Sequence, residues 1–206
     1  MPRWVETTYT MKHLSILLIV ATSLGAFAQN DLQTAWQRRE HTELTSMRVL
    51  ASWSVTNMAV SGLAIGKAEG SARYFHEMNL YWNAVNLGIA GLGFINVAKA
   101  RKRSSPPTLS EALEAQQTVE KILLFNTGLD FAYVAGGFYL LEKSKNDLAQ
   151  QDRLKGFGQA VAVQGGFLLV FDLANYFIHR SNAPRLKKVL DRVTVTGNGV
   201  GMVWKL

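Results

Sequence analysis

Two aspartates lie inside long apolar runs of the sequence. The run 122–141 contains Asp130, and the run 156–178 contains Asp172. A carboxylate at the centre of a bilayer is unfavourable by roughly 2.5–3.5 kcal/mol on insertion scales, so such a residue needs polar partners or a function. Neither run contains a Lys or Arg that could neutralise its aspartate. The two carboxyl groups could therefore hold protons, a cation or a polar ligand.

Amides from other apolar runs fall at a similar depth. We call the membrane surface that carries residues 29–48 side A. Of four antiparallel helices, the first and third would start at side A, and the second and fourth would end there. A rise of 1.5 Å per residue places Asn57 and Asp130 about 12 Å, and Asp172 about 9 Å, below side A. Polar contacts between helices would explain such a layer without any ligand. The candidate ligand or ion residues are Asp130, Asp172, Asn57, Asn86, Asn126, Asn175 and Tyr133.

Composition excludes several classes of function. The 206 residues include 22 Lys and Arg, 15 Asp and Glu, and no Cys, for a net charge of +7. The charges are concentrated between the apolar runs, which is typical of loops beside membrane headgroups. No nucleic-acid-reading motif accompanies them, so no nucleic-acid partner is expected. Without Cys, disulfides, thiolate metal sites and cysteine nucleophiles are excluded.

The sequence identifies no catalytic residue and no cofactor. It lacks the serine-hydrolase, nucleotide-binding and zinc-protease motifs. His41 and His179 would both lie on side A, and they are the remaining metal candidates, with Glu40 or Glu43 nearby. For an enzyme that acts on lipid, the candidates are His179 and Asp172, which share a helix face.

Four apolar runs have the length of membrane-spanning helices, at 49–66, 80–98, 122–141 and 156–178. They predict an all-α fold, an integral membrane four-helix bundle over residues 49–180. Thr108 and Glu111 form a capping box whose helix should continue into the third span. Small residues four apart predict close helix contacts, within the chain or with a second copy or membrane partner. They are Gly62/Gly66, Ala84/Gly88, Gly128/Ala132/Gly136 and Ala162/Gly166.

The two ends of the chain differ from this bundle. Residues 1–28 predict a signal peptide that starts at Met11 and is cleaved after Ala28, so that residues 1–10 would not be translated. The alternative, a fifth span, is short for a bilayer. Residues 29–48 predict a polar helix at the membrane surface. The basic tail, 181–206, contains alternating residues around a Gly-Asn-Gly turn, which predict a short hairpin or, alternatively, a frayed terminus.

Two features of the sequence predict opposite orientations of the chain in the membrane. A cleaved signal peptide would leave side A outside the cytoplasm. Most Lys and Arg residues flank the side-A ends of the spans, however, which places side A inside by the positive-inside rule. The signal peptide is favoured slightly, and the orientation stays open.

Three segments resemble an uncharacterised family of bacterial multi-span membrane proteins of roughly 200 residues. The segments read RYFHEMNLYWNAVNL, LFNTGLDFAYVAGGFYL and QGGFLLVFDLANYF. The resemblance extends over about residues 30–180. It implies an N-terminal signal peptide and no known activity. Separately, the predicted spans lead us to expect a multi-pass protein of the bacterial inner membrane.

Two functions remain open from the sequence. The first is a non-enzymatic envelope protein with a structural or partner-binding role. The alternative is binding or transport of a small solute, cation or proton through the Asp/Asn layer.

Overall fold

The computed structural model describes residues 4–103, 105–184, 193–196 and 199–202, with side chains for 29–103 and 105–184. Four helices account for most of the chain, and the predicted all-α, four-helix class is confirmed. The helices are α1 (Trp4–Ala64), α2 (Gly70–Arg101), α3 (Leu109–Ser144) and α4 (Gln151–Arg180), followed by the strands β1 (Val193–Thr196) and β2 (Gly199–Met202).

The N-terminus of α3 is fixed by the predicted capping box. The Glu111 backbone N–H donates to Thr108 Oγ1 at 3.3 Å, and the Thr108 N–H donates to Glu111 Oε2 at 2.8 Å. Each bond satisfies a backbone donor that the first turn of a helix leaves without a partner. The helix then continues without a break from Leu109 to Ser144, as the sequence predicts.

The helices are arranged in a curved row rather than a closed square. α2 packs against α1 and α4, and α4 packs against α3, while α2 and α3 hardly touch. A gap is therefore left between α2 and α3, and this gap positions the candidate site.

Glycines set the closest approaches between helices. A Cβ on Gly137 of α3 would lie 2.6 Å from the Ala162 nitrogen of α4, and one on Gly158 would lie 2.8 Å from the Gly137 oxygen. A Cβ on Gly156 would overlap the Ser71 oxygen of α2. At these positions only glycine lets the two backbones meet.

Of the small residues that the sequence predicts at close contacts, Ala162 lies at one, whereas the predicted glycines do not. The close contacts use Gly137 and Gly165, each next to a predicted glycine and about 100° further round the helix. A Cβ at the predicted glycines would find no atom within 4 Å. These open positions are Gly62, Gly66, Gly88, Gly128, Gly136 and Gly166.

Residues 29–48 do not form a separate element, and their position at a membrane surface stays a prediction. They continue the axis of α1 directly into residues 49–64. Their apolar face, which includes Leu32 and Trp36, packs against Ala112 in the polar first half of α3. The guanidinium of Arg39 lies 4.4 Å from the Trp36 ring centroid, and that of Arg103 lies 5.6 Å from it. This small core joins α1 to α3 beyond the apolar part of the bundle.

Residues 4–28 are part of α1, so the predicted signal peptide is helical, and both the peptide and its cleavage stay predictions. The strands pair antiparallel, with Val193 opposite Met202 and Thr196 opposite Gly199. The turn residues 197–198 and the tail residues 185–192 and 203–206 lie outside the described residues.

Among the described helices, α4 alone is long and apolar enough to cross a membrane by length and composition. Asn79, Asn83 and Asn86 in α2, and Asn126 and Asp130 in α3, lower the average hydropathy of those helices. Of the four predicted spans, only that in α4 meets this criterion among the described residues, and the other three stay predictions.

Candidate functional site

A cavity of about 960 Å³ fills the gap between α2 and α3. Its back wall is formed by α4, and its side-A end by α1. Six of the seven predicted layer residues line it, on three different helices: Asn86, Asn126, Asp130, Tyr133, Asp172 and Asn175. Asn57 does not.

The two carboxyl groups face each other across the α3/α4 contact. The side chain of Asp172 lies close enough to interact with those of Asp130 and Asn126. Their residues are 3% and 6% exposed. Two carboxylates this close stay ionised together only if a cation lies between them, and otherwise they share a proton. We call Asp130, Asp172, Asn86 and Asn126 the open layer.

Unpaired polar atoms are concentrated around this cavity. In the part of the chain whose side chains are described, five buried side-chain atoms lack a hydrogen-bond partner. Four of them belong to cavity-lining residues: Asp130 Oδ2, Asn86 Nδ2, His179 Nδ1 and Arg39 Nε. Buried polar atoms are normally paired, so these four atoms set the cavity apart from the rest of the described interior.

The side-A end of the cavity carries a charged pair. Arg39 Nη1 lies 3.0 Å from Glu43 Oε1. Burial raises the pKa of the Glu43 carboxyl, the Arg39 guanidinium opposes the rise, and neighbouring Glu40 adds to it. Close by, the Ser46 hydroxyl donates to Asn175 Oδ1, and Gln116 Nε2 donates to the His179 carbonyl at 2.7 Å. These contacts connect the C-terminal part of α4 to α1 and to α3.

Asn57 belongs to a second polar cluster. Gln164 of α4, which has no exposed surface, accepts from Trp53 Nε1 at 2.8 Å and donates to Asn79 Oδ1 at 2.7 Å. Its Nε2 also donates to Asn57 Oδ1 at 3.3 Å. No buried polar atom of these four side chains lacks a partner. We call Trp53, Asn57, Asn79 and Gln164 the paired layer.

The metal candidates do not form a site. His41 is exposed on α1, whereas His179 is buried at the cavity. Among the described residues, no group of three or more His, Asp or Glu side chains is placed to hold a metal ion.

Three polar residues at these clusters are not among those predicted from the sequence: Gln164, Asn79 and Ser46. Gln164 lies eight residues before Asp172, and Asn79 seven before Asn86. Residues seven or eight apart share a helix face, so both residues were predictable from the faces that carry Asp172 in α4 and Asn86 in α2. Ser46 lies in the polar segment and had no comparable signal.

An all-α four-helix fold and a cleft lined by buried acids and amides define the class of this protein. The chain belongs to DUF6992, a family of unknown function, which matches residues 49–173. No curated protein and no solved structure matches the chain.

Proposed function

We propose that this chain is a polytopic membrane protein that binds a small polar or cationic ligand at the open layer. The single observation behind the proposal is the inverted distribution of polarity. Over the four apolar runs, large apolar side chains face outward, while amides and acids face inward.

The outward face supports the membrane assignment. Leu63 is 84% exposed, Phe131 68% and Val170 68%, and apolar residues with similar exposure occur on all four helices. A soluble monomer rarely exposes contiguous apolar patches larger than a few hundred Å². In a bilayer the same side chains would contact lipid, and the inward polar groups of Asn83 and Gln164 would be shielded from it.

The open layer supports binding over a purely structural role. Polar side chains that only hold helices together should satisfy one another's hydrogen bonds, as those of the paired layer do. The open layer instead leaves Asp130 Oδ2 and Asn86 Nδ2 without partners beside a cavity. A ligand that donates to the carboxyl pair would remove this deficit.

A structural or partner-binding role is the second candidate. It is favoured by the outward glycines of α1 and α3, where nothing lies within 4 Å of an added Cβ, because a helix of a second copy could approach there. Its test is the oligomeric state of the full chain in mild detergent, compared with that of Gly62→Leu and Gly136→Leu.

Extraction of bound small molecules tests the binding role. The full chain is purified in mild detergent, and its solvent extract is analysed by mass spectrometry beside extracts of Asp172→Asn and Asp152→Asn. We expect a compound that copurifies with wild type and with Asp152→Asn, whose acid is exposed on the same helix, and that is lost from Asp172→Asn. Equal content in all three proteins would contradict the proposal.

Membrane topology needs a separate test. Resistance of the chain to alkaline extraction from membranes supports spanning. A reporter fused to Leu206 that is active only in the cytoplasm then decides the orientation, and activity there would place side A inside. Release of the chain by alkali would contradict the membrane assignment.

A further inference from the structure

We infer that the cleft admits a single-chain amphiphile with an ammonium head, sideways between α2 and α3. Its head would lie against Asp130 and Asp172, and its tail would stay in the surrounding lipid. This inference rests on the proposed function and names the ligand class of that site.

The size of the cleft argues against a bare ion. Pockets for small organic ligands have volumes of about 300–1,000 Å³, and this cavity, at about 960 Å³, lies at the upper end of that range. An ion held directly by protein needs several oxygen or nitrogen ligands around one point. Among the described residues, no group of three or more His, Asp or Glu side chains is placed to supply such ligands.

Polarity changes from the back of the cleft to its mouth. Asp172 and Asn175 of α4 stand at the back, and both are buried. The mouth is apolar and exposed, with Val85 and Ile89 of α2 opposite Ile122 and Leu129 of α3. A molecule that fits this gradient carries its polar head inward and its apolar tail outward.

One end of the cleft is closed by an aromatic contact. The Trp82 ring of α2 and the Tyr133 ring of α3 meet edge to face, with their centroids 4.9 Å apart. From there the cleft runs toward side A, where Arg39 and His179 line it. Entry from the flank, through the gap that α2 and α3 leave, therefore suits a molecule dissolved in the bilayer.

The two carboxyl groups of the open layer favour a ligand with a cationic head group. No Lys or Arg lies in the open layer, so an ammonium would supply the cation that two adjacent carboxyls lack. Its N–H groups would also donate to the unpaired Asp130 Oδ2. A phospholipid places an anionic phosphate beside its ammonium, and this phosphate would be repelled by the same carboxyls. A single-chain amine has no such penalty.

Thermal unfolding in phosphatidylcholine nanodiscs tests the inference with matched probes. Dodecylamine should raise the Tm of the full chain by about 5–10 °C at a hundredfold excess over its Kd. Dodecanol should raise it less, and dodecanoate should have no effect. Butylamine, which has the head without the tail, should raise it far less than dodecylamine at the same concentration.

A second test blocks the apolar mouth of the cleft with a large side chain. Ile89→Trp should abolish the shift with dodecylamine, whereas Leu87→Trp, which is exposed on the same helix away from the cleft, should keep it. The inference is overturned if Ile89→Trp binds dodecylamine like wild type, or if phosphatidylethanolamine nanodiscs stabilise the chain without added amine. If butylamine matches dodecylamine, the amphiphile is excluded while a polar-ligand site stands. If no amine shifts the Tm while a compound is lost specifically from Asp172→Asn extracts, the ligand is of another class.

Discussion

The paired layer and the open layer are built from similar side chains and differ in how their hydrogen bonds are met. In the paired layer one amide, that of Gln164, connects Trp53, Asn57 and Asn79. In the open layer Asp130 and Asp172 face each other beside a cavity, and neighbouring atoms lack partners. Both layers combine buried and half-buried side chains between helices, so burial alone does not distinguish a structural polar contact from a binding site. The unmet hydrogen bonds do.

This difference has a geometric cause. The paired layer lies where α4 meets α1 and α2, and each of these helices contributes a polar side chain. The open layer lies where α3 and α2 diverge, so that Asn86 cannot reach a partner across the gap. Stability and function should therefore respond oppositely to substitutions in the two layers.

Replacing Gln164 by Leu should produce the largest loss of stability. The change keeps the volume but leaves Trp53 Nε1 and Asn79 Oδ1 without their partner, which we expect to lower the free energy of unfolding by about 2–4 kcal/mol. Thermal unfolding of the full chain in nanodiscs measures this. Gln159→Leu, an exposed glutamine on the same helix, is the control. Equal Tm values for the two variants would show that the paired layer contributes little.

Gly137→Ala should have the next largest effect, because it separates the helices that hold the carboxyl pair together. The added Cβ would meet the Ala162 nitrogen at 2.6 Å, and relief of this overlap should lower stability by about 1–3 kcal/mol. Gly136→Ala is the matched control, since it meets no atom within 4 Å and replaces Gly by a better helix former. Its Tm should equal or exceed that of wild type. Similar losses in both variants would contradict close α3/α4 packing.

Asp130→Asn should not lower stability, in contrast to Gln164→Leu. The new amide can donate to Asp172 and removes one of two facing acids, so the Tm of the protein without added ligand should rise, by up to about 2–4 °C. Dodecylamine binding should be lost at the same time. A fall in Tm as large as that of Gln164→Leu would show that the open layer, like the paired layer, serves to hold the helices together.

Much of this arrangement could be predicted from residue spacing. The capping box at Thr108 and the grouping of Asp130 with Asp172 follow from helix rise and periodicity, which are local rules. Asn57 shares the depth of the aspartates but faces a different part of the bundle. Counting residues along a helix gives the depth of a side chain, but not the direction in which it points around the helix axis. The tight glycines were assigned one residue away for the same reason. Rotation is set by packing between helices, which a single sequence does not contain.

The smallest expected effect concerns a third acid, Glu111, which is exposed and fully paired, in contrast to Asp130. Hydrogen bonds from the Thr108 backbone and the Arg103 side chain lower the pKa of Glu111 to about 2 from its ordinary 4.5. A pKa depressed in the folded state stabilises the protein above the unfolded value and is lost as the pH falls through the folded one. At pH values above about 5, Glu111→Gln should therefore lower the Tm slightly, and the difference from wild type should vanish toward about pH 2.

Tm measurements at several pH values check this, with Glu114→Gln on the exposed face of α3 as the control. A difference that did not change with pH would mean that the Glu111 charge contributes nothing to the cap, and that the end of α3 depends on the Thr108 hydroxyl alone.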